Sequence, residues 1–324
     1  MDPVLSFVVP TYNRASTIGR CLKSVLNSPL KGFEIIVIDD CSTDETSRVI
    51  NCVEDPFGSI RYYKNQSNLG VSGSRNRGLE LAIGEWVCFL DSDDAIIGDS
   101  FSLWYEKCIQ YDGDIFFSKY TINTLPINIA DYETQDWVQV NCEKLVMDYM
   151  SSPVGNSILT YVWAKIYNLK FIRSIGAKFN ESLLIYEDMD FNANLMKGNP
   201  RIYVSSYKVY DYYVPANLST NPIASPLGFM LPLRRYAECV NDRRKADVLM
   251  EMACGYFVVK SMLIELKKRK AINLWRFISI SMDEVSNLNY KNIKHPYLRT
   301  LCQVGLNKSR YPFFLSLWIF SWFM

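Results

Sequence analysis

Four short stretches of this sequence hold the residue types that could do chemistry. Pro10-Thr11-Tyr12-Asn13-Arg14, Asp39-Asp40 and Asp91-Ser92-Asp93-Asp94 each close an apolar run, and Glu187-Asp188 closes the run 183–186. Carboxylates on neighbouring strand ends crowd like charges together, which costs energy unless a cation or a donor-rich ligand lies between them. Aspartate oxygens with no His or Cys beside them suit the hard ions Mg²⁺ or Mn²⁺, and such ions bring phosphates with them. Taken alone, an acidic run such as 91–94 also reads as a turn or a helix N-cap, and Asp188 alone also reads as the cap of a following helix. The single histidine, His295, stands in Lys-His-Pro far from any Ser or Asp motif. A Ser-His-Asp triad, a His-rich zinc site and HExxH chemistry are therefore excluded as readings, and any catalysis must run on carboxylates.

Those stretches need elements to position them. Residues 5–9 read as a buried strand halted by Pro10. Ser16 stands where it could cap a helix whose residues Ile18, Cys21, Leu22, Val25 and Leu26 recur at three- and four-residue spacing. Residues 34–38 read as a second strand, and strand, helix, strand within about 35 residues is a right-handed parallel βαβ unit. A strand at 60–64, a helix at 72–83 and a strand at 86–90 complete a doubly wound, mostly parallel sheet whose ligand should lie at the carboxyl ends of its strands. The stretch after strand one is PTYNR rather than GxGxxG, and GVSGSRNRG at 70–78 matches neither that fingerprint nor GxxxxGK, which disfavours an NAD enzyme or a P-loop NTPase. Arg75 and Arg77 begin a helix after a glycine-containing loop. They read either as phosphate partners or as ordinary surface arginines.

The chain has 324 residues, a length that suggests about two domains, and its 49% apolar and 21% charged residues exclude a disordered chain. The formal charge of +1 gives no global field for nucleic acid. Charge is uneven, however: residues 241–324 carry 14 Lys and Arg against 6 Asp and Glu. A soft boundary lies at 225–242, near Pro215, Pro222, Pro226 and Pro232, and divides an α/β unit at 1–225 from a basic, helical region at 226–324. Nine cysteines without a CxxC pair read as reduced buried thiols of a cytosolic protein. Residues 1–10 do not read as a signal peptide, and no apolar run reaches the roughly 20 residues of a membrane span.

PTYNR at 10–14, IDDCSTDET at 38–46, NLGVSGSRNRGL at 68–79, FLDSDD at 89–94, YVWAKIY at 161–167 and YEDMDF at 186–191 occur in that order. Over roughly residues 1–220 the chain resembles the inverting glycosyltransferases of family 2, of the bacterial surface-polysaccharide type, which have the GT-A fold. The resemblance implies a nucleotide-sugar donor, usually a UDP-sugar, and Mn²⁺ or Mg²⁺ held by the DxD motif. It implies that Pro10, Tyr12, Asn13, Arg14, Asp40, Asn68 and Arg75 surround the donor, that Asp91 meets ribose or sugar hydroxyls, with the metal also within its reach, and that Asp93 is the direct metal ligand. Asp188, in the Glu187-Asp188 pair, takes the place of the general base. Such a reaction must stabilise a departing diphosphate and remove a proton from the acceptor hydroxyl on the opposite side.

Trp163, Lys165 and Glu187 are candidate acceptor contacts, with core packing of the aromatics an equal alternative. Two departures from the family pattern stand out. Cys41 replaces the glycine often found after the paired aspartates, and Tyr212-Tyr213-Val214-Pro215 lacks the Arg or His that many relatives carry there, leaving Lys208, Arg234 or Arg235 as substitutes for gripping the diphosphate. Residues 243–270 read as one helix ending in Lys267-Lys268-Arg269-Lys270, followed by the aromatic tail PFFLSLWIFSWFM. That tail suits peripheral contact with the inner face of a bacterial membrane, where a glycan or an undecaprenyl-diphosphate-linked acceptor would be met, or else packing against protein. The expected function is donor-sugar transfer in polysaccharide biosynthesis. The alternatives are a non-catalytic nucleotide-sugar-binding or scaffold subunit of the same fold, and a sugar-1-phosphate nucleotidyltransferase, whose GxGxR loop is lacking.

Overall fold

The computed structural model describes residues 3–122, 125–126, 137–151, 157–213, 228–250 and 253. In chain order the elements are β1 Leu5–Thr11, α1 Ile18–Leu26, β2 Phe33–Asp39, α2 Thr46–Asn51, β3 Ile60–Lys64, α3 Gly70–Leu81, β4 Trp86–Phe89, β5 Ala95–Ile96, α4 Gly98–Cys108, β6 Ile115–Ile122, β7 Leu125–Pro126, β8 Val138–Val140, α5 Cys142–Ser151, β9 Lys165–Asn168, α6 Leu169–Ser174, α7 Glu187–Lys197, β10 Ile202–Tyr212 and α8 Met230–Ala237. The strands follow the order β3-β2-β1-β4-β9-β6-β10-β5.

The first four strands run parallel. Every residue of β1 is buried, and alternate residues enter different cores: Val8 lies with Ile36, Val87 and Phe89, while Phe7 and Val9 lie with Ile35, Val37 and Cys88. A strand covered on both faces needs a continuous apolar run, which is why 5–9 and 34–38 read as they do. Helix α1 packs into the core of Phe7 through Ile18, Cys21, Leu22 and Val25. Right-handed crossovers keep α1 and α2 on one face while the chain moves outward through β2 and β3, and place α3 on the other when it returns to β4. The direction of winding therefore reverses between β1 and β4, and a cleft opens beyond their carboxyl ends.

Beyond β4 the sheet is mixed. Strand β9 enters antiparallel between β4 and β6, so the chain just before Lys165 lies at the cleft end. Strand β10 pairs parallel with β6 and carries Tyr210 and Tyr212 to the same end, where β5 adds antiparallel to it. The α1 helix starts at Ile18 behind an N-cap Thr17 whose side chain makes no capping bond, so the cap expected from Ser16 does not form. Helix α7 begins two residues earlier than the sequence pattern suggested, so Glu187 and Asp188 lie inside its first turn. Helix α8 packs on α7 and sends Leu233 and Tyr236, preceded by Phe229, into the core that holds Val8. Residues 243–250 are helical; the remainder of the expected 243–270 helix, apart from Ala253, lies outside the described residues, as does the aromatic tail. No helix among the described residues is long and apolar enough to cross a membrane, and the seven cysteines among them are free thiols.

Helix α3 lies so close to β1 that a Cβ on Gly78 would stand 2.3 Å from Cγ1 of buried Val8. Gly78→Ala should therefore lower stability by about 1–3 kcal/mol, the usual cost of overpacking. An unchanged midpoint in urea unfolding would show that α3 can lift from the strand freely.

Candidate active site

A cavity of about 540 Å³ opens at the carboxyl ends of β1 and β4, lined among others by Pro10, Tyr12, Arg14, Asp40, Arg75, Asp91, Asp93 and Glu187. Eight residues from five separated stretches of sequence thus converge at one place.

Arg75 is the hub. Its side chain is 3% exposed, and it holds Asp91 Oδ1 through Nη2 at 2.9 Å and both Asp188 Oδ1 (2.5 Å) and Glu187 Oε1 (3.4 Å) through Nη1. Its Nε is buried without a partner. Burial alone would lower the basicity of this guanidinium, but the Asp188, Asp91 and Glu187 charges raise it above its ordinary value. The Asp188 carboxylate also accepts from the Val162 N–H at 3.3 Å. Burial lifts its pKa to about 7, against the pull of Arg75 and with Glu187 and Asp91 adding to the rise. Asp188 does not cap α7: the N-cap position is Tyr186, at φ 66°. Its carboxyl, 14% exposed, is not among the lining residues and is joined to the cavity through Arg75, which is.

The loop after β4 is fixed from behind. Asp94, fully buried, accepts from Tyr210 Oη at 2.7 Å and from the Tyr213 N–H at 2.8 Å, while the Asp91 N–H donates to the same Tyr210 oxygen at 3.3 Å. Burial and the neighbouring Asp91 raise Asp94 to about 8. Arg20 of α1 donates to the Asp93 carbonyl and stacks 3.7 Å over the Tyr213 ring. Asp94, Arg20 and Tyr210 were not picked out as site residues by sequence reasoning. Asp94 at least was visible as the last member of an acidic run, but nothing near Arg20 marks it. With its neighbours so held, Asp93 turns toward the cavity and meets Arg14 at 3.5 Å. Its pKa is raised by burial and then by Asp91, with Arg14 opposing. A carboxylate short of positive charge beside a cavity of this size fits a divalent cation. Among the described residues no group of three His, Cys, Asp or Glu side chains is arranged to hold a metal ion, so any cation at Asp93 would take its other ligands from water and phosphate oxygens, as Mg²⁺ commonly does.

Other expected donor residues are used within the protein. Asp40 accepts from the Leu69 and Gly70 N–H groups at 2.7 and 2.8 Å and from Asn65 Nδ2 at 2.7 Å, so it caps α3 while lining the cavity. Asn13, at φ 51°, accepts from the Thr43 N–H at 2.9 Å and ties the loop after β1 to the loop after β2. Asn68 donates to the Asp40 carbonyl and accepts from the Gly70 N–H. Neither asparagine belongs to the cavity lining. Trp163 and Lys165 are interior residues rather than surface acceptor contacts. Trp163 stacks on Tyr161, Tyr210 and Tyr212 with centroids 4.6, 4.9 and 5.5 Å away, and Lys165 is 3% exposed with its ammonium bound to backbone carbonyls. Arg235 is likewise engaged elsewhere, with Asp190 of α7 at 2.9 Å. Cys41 has φ 67°, the left-handed conformation that glycine adopts without strain.

Fold and site together define a doubly wound α/β protein with a carboxylate-lined cavity at its topological switch point. Residues 6–128 match the family model described as Glycosyl transferase family 2. Over this segment the chain is a member of that family, and its fold is GT-A. The GalNAc(5)-diNAcBac-PP-undecaprenol beta-1,3-glucosyltransferase of Campylobacter jejuni is 28% identical over 213 residues, covering 65% of this chain and 62% of the relative. The cholesterol galactosyltransferase of Borreliella burgdorferi is 32% identical over 225 residues, with 67% and 62% covered. The chain thus spans less than two thirds of the length of these curated relatives. The crystal structure of S. aureus TarS 1–349 in complex with UDP-GlcNAc superposes with a TM-score of 0.75 at 21% identity, covering 98% of this chain and 90% of that one.

Replacing Arg75 by Met should destabilise the protein by about 3 kcal/mol or more, because it strands three carboxylates around a buried gap. Protonation relieves that repulsion, so in urea unfolding the loss relative to the parent should be larger at pH 8 than at pH 5. An equal loss at both would mean that Arg75 acts through packing alone.

Proposed function

We propose that this protein is an inverting glycosyltransferase that moves a sugar from a UDP-sugar to a hydroxyl of a glycan or lipid-linked glycan in polysaccharide assembly. The observation that carries this reading is a pair of carboxylates on one cavity and its supporting cation: Asp93 lines the cavity, and Asp188 is held behind it by Arg75, which lines it too. The family match and the activities named for the relatives support it.

In this reading Pro10, Tyr12, Asp40 and Arg75 border the nucleoside, and Asp91, drawn toward Arg75, presents its second oxygen to a ribose or sugar hydroxyl. Asp93 would hold Mn²⁺ or Mg²⁺, whose charge would offset that of the departing diphosphate. Arg14, beside Asp93, adds a guanidinium to the same region. Asp188 accepts the proton of the acceptor hydroxyl as its oxygen bonds to the anomeric carbon and the bond from that carbon to the diphosphate breaks. Attack from the side opposite the leaving group inverts the centre. A carboxyl near pH 7 is matched to this task, since it is ionised in part at neutrality and still basic enough to drive the transfer. Glu187, also on Arg75 and lining the cavity, stands where an acceptor would enter.

Thermal unfolding with UDP-glucose, UDP-galactose and their N-acetylamino forms, each with and without Mn²⁺, tests the donor. One of them, at saturation with Mn²⁺, should raise the midpoint by about 5 °C through preferential binding to the folded state. Asp93→Ala should remove the Mn²⁺-dependent part of the shift. Flat traces for the whole panel would overturn the donor reading.

UDP release should rise with pH through about 7 as Asp188 loses its proton. Asp188→Asn should keep the donor-induced shift and lose UDP release. Release unchanged in that variant would remove Asp188 as the base.

A further inference from the structure

Lys165 is a buried ammonium that the donor cavity does not use. It opens β9, is 3% exposed, and lies 5.3 Å from the Phe117 ring centroid. Its Nζ donates to the carbonyl oxygens of Tyr161 and Trp163, the latter at 3.2 Å. The Tyr161 carbonyl is shared, because Asn192 Nδ2 of α7 donates to it at 2.9 Å. The peptide that contributes this carbonyl has its N–H on Val162, and that N–H is the one that donates to Asp188 Oδ2. In a trans peptide the C=O and N–H point in opposite directions. One rigid plane therefore has the Lys165 ammonium at its oxygen end and the Asp188 carboxylate at its hydrogen end. A cation on the carbonyl polarises the peptide and strengthens the bond its N–H makes to the carboxylate. Neighbouring bonds keep the plane from turning: Tyr167 Oη donates to the Val162 carbonyl at 3.2 Å, and Ala164, at φ 56°, curls the chain back toward Lys165.

We infer that Lys165 is a positioning residue for the reaction, orienting the Tyr161–Val162 peptide so that its N–H holds Asp188 in place, and lending positive charge to that carboxylate from behind. This rests on the reading of Asp188 as the base. Lys165 touches neither donor nor acceptor. Asp188 of α7 and Cys88 of β4 face it, while Asp188 is faced by Arg75 of α3, by Glu187 beside it and by Asp91 after β4. Burial holds the ammonium down to about 7, with Asp188 and Cys88 opposing, so its charge and that of Asp188 are coupled in the neutral range.

The test uses the full chain and the UDP-sugar with the largest thermal shift in the panel above, with UDP release followed from pH 5 to 9. Lys165→Met should lower the maximal rate by roughly 10- to 100-fold, as loss of alignment does. It should move the acid limb of the rate profile up by about one pH unit, because a positive charge that favours the ionised base is gone. The donor-induced thermal shift should stay as in the parent, since the cavity is untouched. Lys165→Gln, which keeps a donor but drops the charge, should show the same displaced limb and serves if the Met variant does not fold; Lys165→Arg should return the limb toward the parent. Rate profiles of the Met and Gln variants that superpose on the parent would overturn the inference. Asp188→Asn is run in parallel: if it has lost UDP release while the Lys165 variants keep the parent profile, only the role of Lys165 fails. Retained UDP release in Asp188→Asn overturns the base reading itself and this inference with it.

Discussion

The arrangement of the site depends on one buried cation. Arg75 lies at the point where the end of β4 and the start of α7 meet, and it is the common partner of Asp91, Glu187 and Asp188. Three carboxylates at the edge of one cavity would otherwise repel each other strongly in a low-dielectric setting. With a guanidinium between them, whose planar fork presents two donors to different partners, they can be held close and kept apart in role. Asp91 pairs with Nη2 and Asp188 with Nη1, so the separation of the two carboxylates is set by the width of one side chain.

A second constraint comes from the sheet. Reversal of winding between β1 and β4 opens the cleft, but a parallel sheet alone would supply only the loops that follow each strand. Insertion of β9 in the opposite sense changes what is available, because the residues that precede an antiparallel strand arrive at the same end as those that follow its neighbours. Residues 161–164 reach the margin of the cleft in this way and bring a backbone N–H to Asp188. The end of β10 arrives beside them, and Asp94 joins it to the loop after β4 through Tyr210 and Tyr213. The carboxylate that turns outward, Asp93, is thus flanked by two that are engaged, Asp91 by Arg75 and Asp94 by β10.

How much of this was legible depended on whether an element announces itself by apolar pattern. Strands β1, β2 and β4 are buried on both faces and spell continuous apolar runs, so their ends, and the acidic residues there, could be placed from sequence. Helix α1 has a clean apolar face, and α3 does not: it buries Ser72, Gly73, Ser74, Arg75, Asn76 and Gly78, small or polar residues chosen for close approach and for the site. Arg75 therefore reads from pattern alone as a surface arginine, and it was the resemblance to a family that drew it to the donor. Strand β9, Lys-Ile-Tyr-Asn, has a charge at a fully interior position. No periodicity argument places a lysine inside, because the carbonyls that satisfy it come from a curled segment that exists only in the folded chain. For the same reason Lys165 and Trp163 read as acceptor contacts, while the structure uses one to hold backbone and the other to stack a column of tyrosines.

Backbone strain points to the same region. Among the described residues five non-glycine residues have positive φ, and four of them, Asn13, Cys41, Ala164 and Tyr186, sit in the segments that border the cleft. Each such residue costs of order 1 kcal/mol or more and persists only where its surroundings fix it. The fixings are visible: Asn13 is held by the loop after β2, Ala164 adjoins the carbonyls on Lys165, and Tyr186 turns the chain so that the next two residues meet Arg75. An unstrained chain at 186 would enter α7 along a different path, and Asp188 would no longer face Arg75 and the Val162 N–H together. The strain and the electrostatic hub are therefore two sides of one requirement, since the left-handed turns bring the carboxylates to Arg75 and the pairing with Arg75 holds the turns in place.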